Sequence, residues 1–293
     1  MKGEVFAVKF DPSGKFLASG SFDQTVLLWN TYGSNENYLQ LKGHKGAILD
    51  LAWSWNAPML YTASSDATLA SWDLEQGERI HKLIGHEDIV NSVATLKHGG
   101  EILVSSSDDG SIGLWDSRQK NAIDYYQDGY PVMSACFSEA GNQIFSGGLD
   151  NLIKVWDVRQ KAVVMTLEGH TDTVTSLALS PNGQTLVSNA MDSTVRLWNI
   201  APFGPPNRQM KLIQGAPHGF DKNLIRVVWS PNGERIMTGS GERNVVIWNA
   251  DTGEVEYILP GHHGVVNAVD FHPHEPIIAS GSTDRMVFLG ELL

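Results

Sequence analysis

Apolar and polar residues alternate in short runs along this chain, and a turn follows each run. The segments VFAVKF (5–10), VTSLALS (174–180) and VVNAVDF (265–271) place apolar side chains at every second position. A turn such as DPSG, SPNG or HPHE comes next, followed by a second apolar run. Alternation with a period of two, interrupted by turns about every 8–12 positions, predicts short β-strands. No segment of useful length has a helical period, so the sequence predicts an all-β protein.

The strand pattern itself repeats, and tryptophan marks the repeat. Six tryptophans lie 43, 43, 41, 42 and 50 residues apart, and a seventh copy over residues 283–291 has Gly290 at the tryptophan position. A period of about 42 residues that contains four strand signals predicts a β-propeller. The six are Trp29, Trp72, Trp115, Trp156, Trp198 and Trp248.

We therefore expect one domain over residues 1–293, a seven-bladed β-propeller. The last blade contains three strand signals, because the chain ends one strand after its seventh turn. Propellers usually close with an N-terminal strand that completes the last blade and covers a sheet edge, and here that strand would lie upstream of Met1. We expect the last blade to lack its fourth strand within this chain. The predicted blades span residues 1–41, 42–83, 84–126, 127–167, 168–213, 214–259 and 260–293.

Four side-chain types recur at fixed distances within the repeat. A Ser or Thr lies ten residues before each Trp, an Asp or Glu lies six before it, and a Gly-His pair precedes several copies. This arrangement resembles the WD40-repeat family across essentially the whole chain. The resemblance implies a hydrogen-bonded network inside each blade, in which the carboxylate accepts a hydrogen bond from the imidazole. Three copies contain the full set: His44, Thr62, Asp66 and Trp72; His86, Ser105, Asp109 and Trp115; His170, Ser188, Asp192 and Trp198.

Three copies depart from this pattern. The fourth has no Gly-His pair and carries YYQD (125–128) in that region, and the sixth has Glu242 and a displaced His218. The seventh has Gly290 instead of a tryptophan. We expect these three blades to be tied together less firmly.

The recurring Ser, His and Asp could also suggest a catalytic triad. A triad needs one exposed nucleophile beside an oxyanion hole, whereas this set occurs three times at fixed spacing, which predicts blade structure. The cluster HPHE (272–275) could imitate metal ligands, but it falls where other copies have a turn, and we expect it to be exposed. The sequence thus predicts no catalytic residue, no cofactor and no metal site.

Charge and composition narrow the possible partners. The net charge is −12, from 21 Lys and Arg against 33 Asp and Glu. Direct binding to nucleic acid is disfavoured, because phosphates require a basic surface. Cys136 is the only cysteine, which excludes an intrachain disulfide, and we expect it to be a small buried residue. No apolar run approaches the roughly 18 residues that would span a membrane.

Two copies carry the pattern Trp-Asp-x-Arg, ending at Arg118 and Arg159. The pattern is similar to one in WD40 substrate receptors of cullin–RING ubiquitin ligases. The alternative is that each arginine pairs with a neighbouring carboxylate at the rim of its blade. Both interpretations remain open on the sequence.

Two sets of residues are candidates for binding a protein partner. Phe22, Leu149 and Met191 directly precede the turn aspartates, where polar residues are usual. Exposed apolar side chains on one rim suggest an interface, although each could instead fold onto a neighbouring blade. Phe203 and Arg208 belong to the second set, in a proline-rich insertion after Trp198 that we expect to protrude from the opposite face.

Arg208 also belongs to the one modest concentration of basic residues that the sequence suggests. We expect this group to lie around the insertion, although a tolerated loop insertion without a partner is an equal alternative. The group consists of Arg208, Lys211, Lys222 and Arg226.

Longer stretches, among them SNAMDSTVRLWNIAPFGP and FHPHEPIIASGSTDR, resemble more specifically the WD40 subunits of the spliceosomal U5 small nuclear ribonucleoprotein. That resemblance implies a nuclear, non-catalytic subunit in pre-mRNA splicing. It also implies docking to the very large scaffold protein of that particle and to other spliceosomal proteins. RNA would be met only within the particle, with no membrane and no small-molecule substrate involved.

Overall fold

Each period of the sequence forms one antiparallel sheet in which consecutive strands pair. The computed structural model describes residues 1–33, 36–98 and 100–292, and every regular element in them is a β-strand. Blades 1 and 2 consist of β1 (Val5–Phe10), β2 (Phe16–Ser21), β3 (Thr25–Asn30), β4 (Asn37–Lys42), β5 (Ile48–Trp53), β6 (Met59–Ser64), β7 (Thr68–Asp73) and β8 (Glu78–Ile84). Blades 3 and 4 consist of β9 (Val90–Thr95), β10 (Ile102–Ser107), β11 (Ser111–Asp116), β12 (Asp124–Gln127), β13 (Val132–Phe137), β14 (Gln143–Gly148), β15 (Ile153–Asp157) and β16 (Ala162–Leu167). Blades 5 to 7 consist of β17 (Val174–Leu179), β18 (Thr185–Ala190), β19 (Val195–Asn199), β20 (Gln209–Ile213), β21 (Val227–Trp229), β22 (Arg235–Thr238), β23 (Val245–Asn249), β24 (Val255–Leu259), β25 (Val266–Phe271), β26 (Ile277–Ser282) and β27 (Val287–Glu291).

The seven sheets close into a ring around their first strands. The first strand of each blade contacts the first strands of both neighbours, and β1 contacts both β5 and β25. The seven-bladed propeller is therefore confirmed. Among the described residues blade 7 has three strands, as expected, so β27 is paired only with β26. β4, β8 and β12 each run one residue past the predicted blade limit, because pairing with the third strand continues up to the following loop.

Apolar side chains fill the space between neighbouring blades. Between blades 1 and 2, for example, Leu28 and Leu41 pack with Ile48 and Leu51 in one buried cluster. Burying a side chain of this size stabilises a protein by about 1.5–3 kcal/mol. The core is thus a series of interfaces between blades, which explains why every blade repeats the same apolar pattern.

Hydrogen bonds around the central channel add a second connection between blades. The third residue of an inner strand accepts a hydrogen bond from a backbone N–H of the next blade at four consecutive junctions. The acceptors are Asp50, Ser92, Ser134 and Ser176, and their oxygens lie 3.0–3.1 Å from the nitrogens of Val93, Ala135, Leu177 and Val227.

The junction between the last and first blades uses different groups. Asp270 accepts from the backbone N–H of Phe10 at 2.8 Å and lies 3.4 Å from Nζ of Lys9. The Asn267 amide donates to the carbonyl of Val5 at 3.1 Å. These contacts join the two ends of the chain and close the ring.

The turn between the second and third strands has the same backbone in every blade. The residue after the turn Asp or Glu has a φ between 62° and 77° in all seven copies, although only blade 3 has a glycine there. L-residues avoid this region at a cost of roughly 1–2 kcal/mol. The aspartate offsets that cost in part, because it accepts the N–H two residues later, as Asp192 does from Thr194 at 2.9 Å.

Candidate functional site

The recurring polar side chains meet inside the blade. In blade 2, Nδ1 of His44 lies 3.1 Å from Asp66 and its Nε2 lies 2.7 Å from the Thr62 hydroxyl. The indole N–H of Trp72 donates to the same hydroxyl oxygen at 3.1 Å. Since an ionised carboxylate can only accept, the histidine donates from Nδ1 and its Nε2 accepts from the threonine O–H. Every polar group in this chain of bonds has a partner.

The electrostatics of the aspartate agree with this arrangement. Burial alone would raise the pKa of Asp66, but hydrogen bonds from His44, the backbone N–H of Lys45 and Thr68 hold it well below its usual range. The same balance lowers the pKa of Asp192 in blade 5. Both carboxylates therefore stay ionised and act as permanent acceptors.

Blades 3 and 5 repeat the geometry closely. The hydroxyls of Ser105 and Ser188 are fully buried, which leaves neither open to a substrate. The imidazole–carboxylate distances are 2.9 Å for His86–Asp109 and His170–Asp192, the imidazole–hydroxyl distances are 2.7 Å for His86–Ser105 and His170–Ser188, and the indole–hydroxyl distances are 2.7 Å for Trp115–Ser105 and 2.8 Å for Trp198–Ser188.

Blade 7 forms the histidine, serine and aspartate part of the network without a tryptophan. His262 lies 2.9 Å from Asp284 and 2.8 Å from the Ser280 hydroxyl. The Phe288 ring stacks on the imidazole with centroids 4.3 Å apart and an interplanar angle of 26°. Phe288 thus covers the histidine, a role that the comparison of tryptophan positions missed.

Blade 4 replaces the histidine by a lysine between two carboxylates. Nζ of Lys154 lies 2.5 Å from Asp128 and 2.7 Å from Asp150, and all three side chains are largely buried. Trp156 still donates to the Ser146 hydroxyl at 2.8 Å. The available sequence signals were an aspartate where the Gly-His pair is missing and a lysine two residues before Trp156.

His218 of blade 6 occupies a different place from the other histidines. It is buried, and its Nε2 lies 3.2 Å from the Asn189 amide nitrogen of the neighbouring blade. Burial lowers its pKa to about 4. His218 does not take part in a network with Trp248. The indole N–H of Trp248 instead donates to the carbonyl of Gln214 at 3.1 Å.

The residues that precede the turn aspartates lie on the face where the Asp turns meet the Gly-His loops, which we call the Asp-turn face. Phe22 is 62% exposed, and its ring contacts Phe6 of its own blade edge to face at 6.4 Å. Leu149 is 51% exposed, and Met191 is half-buried. Two of the three predicted side chains therefore project from this face, while the third lies partly against the blade.

The proline-rich insertion joins β19 to β20. Phe203 in this loop is fully exposed. Arg208 instead turns inwards, and its guanidinium donates to the carbonyls of Ala201 at 2.5 Å and Asn199 at 3.4 Å. Phe203 is available to a partner, whereas Arg208 stabilises the loop that carries it.

The structure separates the four predicted basic residues, so the expected basic concentration around the insertion is wrong. Lys222 lies 3.4 Å from Asp172 on the Asp-turn face, and Lys211 reaches the carbonyl of Ala250 in blade 6. Arg226 enters the central channel and donates to the carbonyl of Asn91 on its far side at 2.6 Å. Sequence proximity failed here because the four side chains point towards three different parts of the ring.

Arg226 closes one end of a funnel in the central channel. The funnel has a volume of about 630 Å3 and is lined by inner strands of all seven blades. Cys136 is part of this lining and is half-buried, not fully buried as expected. Burial raises the pKa of this thiol to about 12. Asp50 lies 3.6 Å from the Arg226 guanidinium and balances its charge.

The HPHE turn differs from the expected exposed turn in one residue. His272 is buried, lies 2.9 Å from the carbonyl of Gly14, and accepts backbone N–H groups of His274 and Glu275. Within the described ranges no group of three or more His, Cys, Asp or Glu side chains is placed to hold a metal ion. Nor does any described segment form a helix that is long and apolar enough to cross a membrane.

Comparison with known proteins fits the repeated blade geometry. Seven segments match the family described as WD domain, G-beta repeat, at residues 1–30, 35–73, 77–116, 124–157, 161–199, 216–249 and 253–289. The chain is 47% identical to "Pre-mRNA-splicing factor cwf17" of Schizosaccharomyces pombe, over 99% of this chain and 85% of that protein. It is 48% and 46% identical to the "U5 small nuclear ribonucleoprotein 40 kDa protein" of Homo sapiens and of Dictyostelium discoideum, over 99% of this chain and 82% of each.

This chain belongs to the WD40 family, in the group of the U5 40 kDa proteins. In this WD40 propeller the arginines of the two Trp-Asp-x-Arg patterns contact the aspartate of their own pattern. The guanidinium of Arg118 binds the carboxylate of Asp116, two residues earlier, through two hydrogen bonds of 2.6 and 2.8 Å. The backbone N–H of Arg118 also donates to Asp116, at 3.0 Å, and the backbone N–H of Arg159 donates to Asp157 in the same way, at 2.8 Å.

Proposed function

We propose that this chain is a non-catalytic subunit of the U5 small nuclear ribonucleoprotein and acts in pre-mRNA splicing in the nucleus. The observation that carries the proposal is an identity of 46–48% to proteins named as U5 40 kDa proteins, over 99% of the chain. The fold supports it, because a propeller with satisfied blade networks offers binding surfaces rather than a reactive group.

Within that particle the chain docks to the large scaffold protein and to other spliceosomal proteins. Exposed Phe22 and Leu149 on the Asp-turn face and Phe203 on the opposite face support this part of the proposal. Large apolar side chains that remain in water in the isolated chain gain burial when a partner covers them. Met191 contributes a smaller area, and Arg208 acts by holding the loop that presents Phe203.

RNA is met only indirectly. A chain of net charge −12 repels phosphates at long range, and the basic side chains grouped by sequence point to separate parts of the ring. Proteins of the particle, rather than its RNA, are the expected direct contacts.

A ubiquitin-ligase substrate receptor is the second candidate, and it rests on the two Trp-Asp-x-Arg patterns alone. Arg118 is held by Asp116 of its own blade, as the simpler interpretation of the pattern requires. The sequence identity therefore favours the spliceosomal role.

Affinity purification of the tagged chain from a nuclear extract, followed by mass spectrometry, tests the proposal. We expect the large U5 scaffold protein among the most enriched proteins. Enrichment of a cullin without U5 proteins would overturn the proposal in favour of the second candidate.

A further inference from the structure

Four apolar side chains form an arc on the Asp-turn face over blades 4 to 6. Tyr130 and Leu149 of blade 4 are 56% and 51% exposed, and Met191 of blade 5 is half-buried. Phe220, in the loop that leads into blade 6, is fully exposed. We call these four residues the blade 4–6 arc.

Backbone contacts fix the turns that carry Tyr130, Leu149 and Met191. The N–H of Leu149 donates at 3.0 Å to the carbonyl of Pro131, which directly follows Tyr130. The N–H of Met191 donates to Thr173 at 2.9 Å, in the loop between blades 4 and 5. The arc thus runs along adjoining turns of neighbouring blades.

The loop that carries Phe220 is anchored on both sides. The N–H of His218 donates to the Ser193 hydroxyl of blade 5 at 3.1 Å. The N–H of Gly241 in blade 6 donates to the carbonyl of Pro217 at 2.7 Å. Because His218 is buried two residues before Phe220, the ring is held out from the face by a fixed turn. Such preorganisation reduces the entropy lost when a partner binds.

Carboxylates border both ends of the arc. Exposed Glu87 and Asp88 lie in the loop beside blade 3, and exposed Asp221 and Glu242 lie beside Phe220. Among the described residues none of these four forms an ion pair with the chain's own cations. Two exposed cations also lie at the Phe220 end: Lys222, which lies 3.4 Å from Asp172, and Arg243, which follows Glu242. With Lys222 paired to Asp172, the four carboxylates outnumber Arg243, and the border carries net negative charge, most clearly at Glu87 and Asp88.

The carboxyl of the half-buried Asp108 responds to the same excess of negative charge. Burial raises the pKa of its carboxyl, and the neighbouring charges of Asp88 and Asp109 raise it further, against a hydrogen bond from Asn91. Repulsion between carboxylates is strongest where no cation is close. A cationic group from outside the chain would relieve it.

We propose that the blade 4–6 arc binds an extended segment of a partner protein that combines Lys or Arg with large apolar side chains. This deepens the proposed function, on which it rests, by naming the chemistry of one partner segment. The apolar side chains cover Tyr130, Leu149 and Phe220, and the cations face the carboxylates at both ends. RNA does not fit the same surface, because the carboxylates repel its phosphates.

Binding of labelled peptides to the purified chain tests the proposal by fluorescence anisotropy. The probe is a 14-residue peptide of Lys, Leu, Phe and Ser, compared with two relatives in which Glu replaces Lys or Ser replaces Leu and Phe. We expect the first peptide to bind at least tenfold more tightly than either relative. Its affinity should fall at least tenfold between 50 and 300 mM NaCl. Equal affinities for the three peptides would overturn the proposal.

Two variants of the chain locate the site. Leu149→Ser with Phe220→Ser removes apolar area, and Glu87→Gln with Asp221→Asn and Glu242→Gln removes surface charge. Each should weaken binding of the first peptide at least tenfold. The matched control, Glu75→Gln with Glu139→Gln and Asp251→Asn, alters exposed carboxylates of the opposite face and should leave binding unchanged. Equal weakening of peptide binding by the control, or no weakening by the two variants, would contradict the assignment. All the substituted positions lie on the surface, and circular dichroism of each variant verifies that it is folded.

Recovery of U5 RNA from nuclear extract separates this inference from the function on which it rests. If both are right, the tagged wild-type chain recovers U5 RNA and the two variants recover at least fivefold less. Equal recovery by wild type and variants overturns the inference alone. Failure of the wild-type chain itself overturns the proposed function, and the peptide measurements still decide the chemistry of the arc.

Discussion

Thr62 accepts a hydrogen bond from Trp72 and lies within hydrogen-bond distance of His44, so its hydroxyl joins the two rings of blade 2. Thr62→Val keeps the shape but leaves Nε2 of His44 and the indole N–H of Trp72 without a buried partner. We expect the free energy of unfolding in urea to fall by about 1–3 kcal/mol. Thr171→Val, at an exposed threonine, is the control and should change it by less than about 0.5 kcal/mol. Equal effects would show that the network does not stabilise the blade.

Lys154 neutralises two largely buried aspartates of blade 4. Lys154→Met leaves Asp128 and Asp150 without their cation, and we expect a loss of about 3–5 kcal/mol in the free energy of unfolding. The comparison is Lys161→Met, which removes a more exposed partner of Asp124 and should cost less than about 1 kcal/mol. Similar losses in the two variants would contradict the role given to Lys154.

His218 makes the stability of the chain depend on pH. The unfolded imidazole binds a proton near pH 6.5, whereas the folded one does so only near pH 4. Between these values the unfolded state binds more protons, so the free energy of unfolding falls as the pH falls. The fall attributable to His218 is up to about 3 kcal/mol.

Urea unfolding of wild type and His218→Gln at pH 7 and pH 4.5 isolates this contribution. The wild-type chain should lose more stability on acidification than the variant does. A variant that loses as much as wild type would assign the pH dependence to other groups.

At the scale of elements, β27 is the third strand of blade 7 and pairs with a neighbour, β26, on one side only. β19, its counterpart in blade 5, is covered by β20 on one side and β18 on the other. We expect alternate amides of β27 in this 293-residue chain to exchange with deuterium at least about tenfold faster than those of β19. Mass spectrometry after pepsin digestion measures both strands in one sample, and equal protection of β27 and β19 would contradict the open edge.

Elements and networks differed in how far the sequence could predict them. The strands and their count follow from alternation and from the position of each Trp, because an inter-blade core requires the same apolar pattern in every blade. The sequence did not predict the places where a side chain of different chemistry takes over a role in the blade network. Lys154 substitutes for a histidine from another strand, and Phe288 covers His262 from a position that is not the tryptophan's. Arg226 was misplaced because its side chain crosses the channel, which no local spacing records.

At the scale of the whole molecule, a closed ring presents two separate faces. The Asp-turn face carries Phe22 and the blade 4–6 arc, and the opposite face carries Phe203. The rigid ring fixes the distance between these surfaces, so one chain can hold two parts of a large particle in a defined relation. This architecture suits a subunit that acts by binding.

The RNA that co-purifies with the tagged chain from nuclear extract tests the central claim most directly. Sequencing of that RNA should show U5 RNA enriched at least tenfold over U1 RNA, and the enrichment should disappear when the proteins of the particle are dissociated in high salt. Recovery of U1 and U5 RNA in their input proportions, or persistent binding of protein-free U5 RNA, would contradict an indirect, protein-mediated place in the U5 particle.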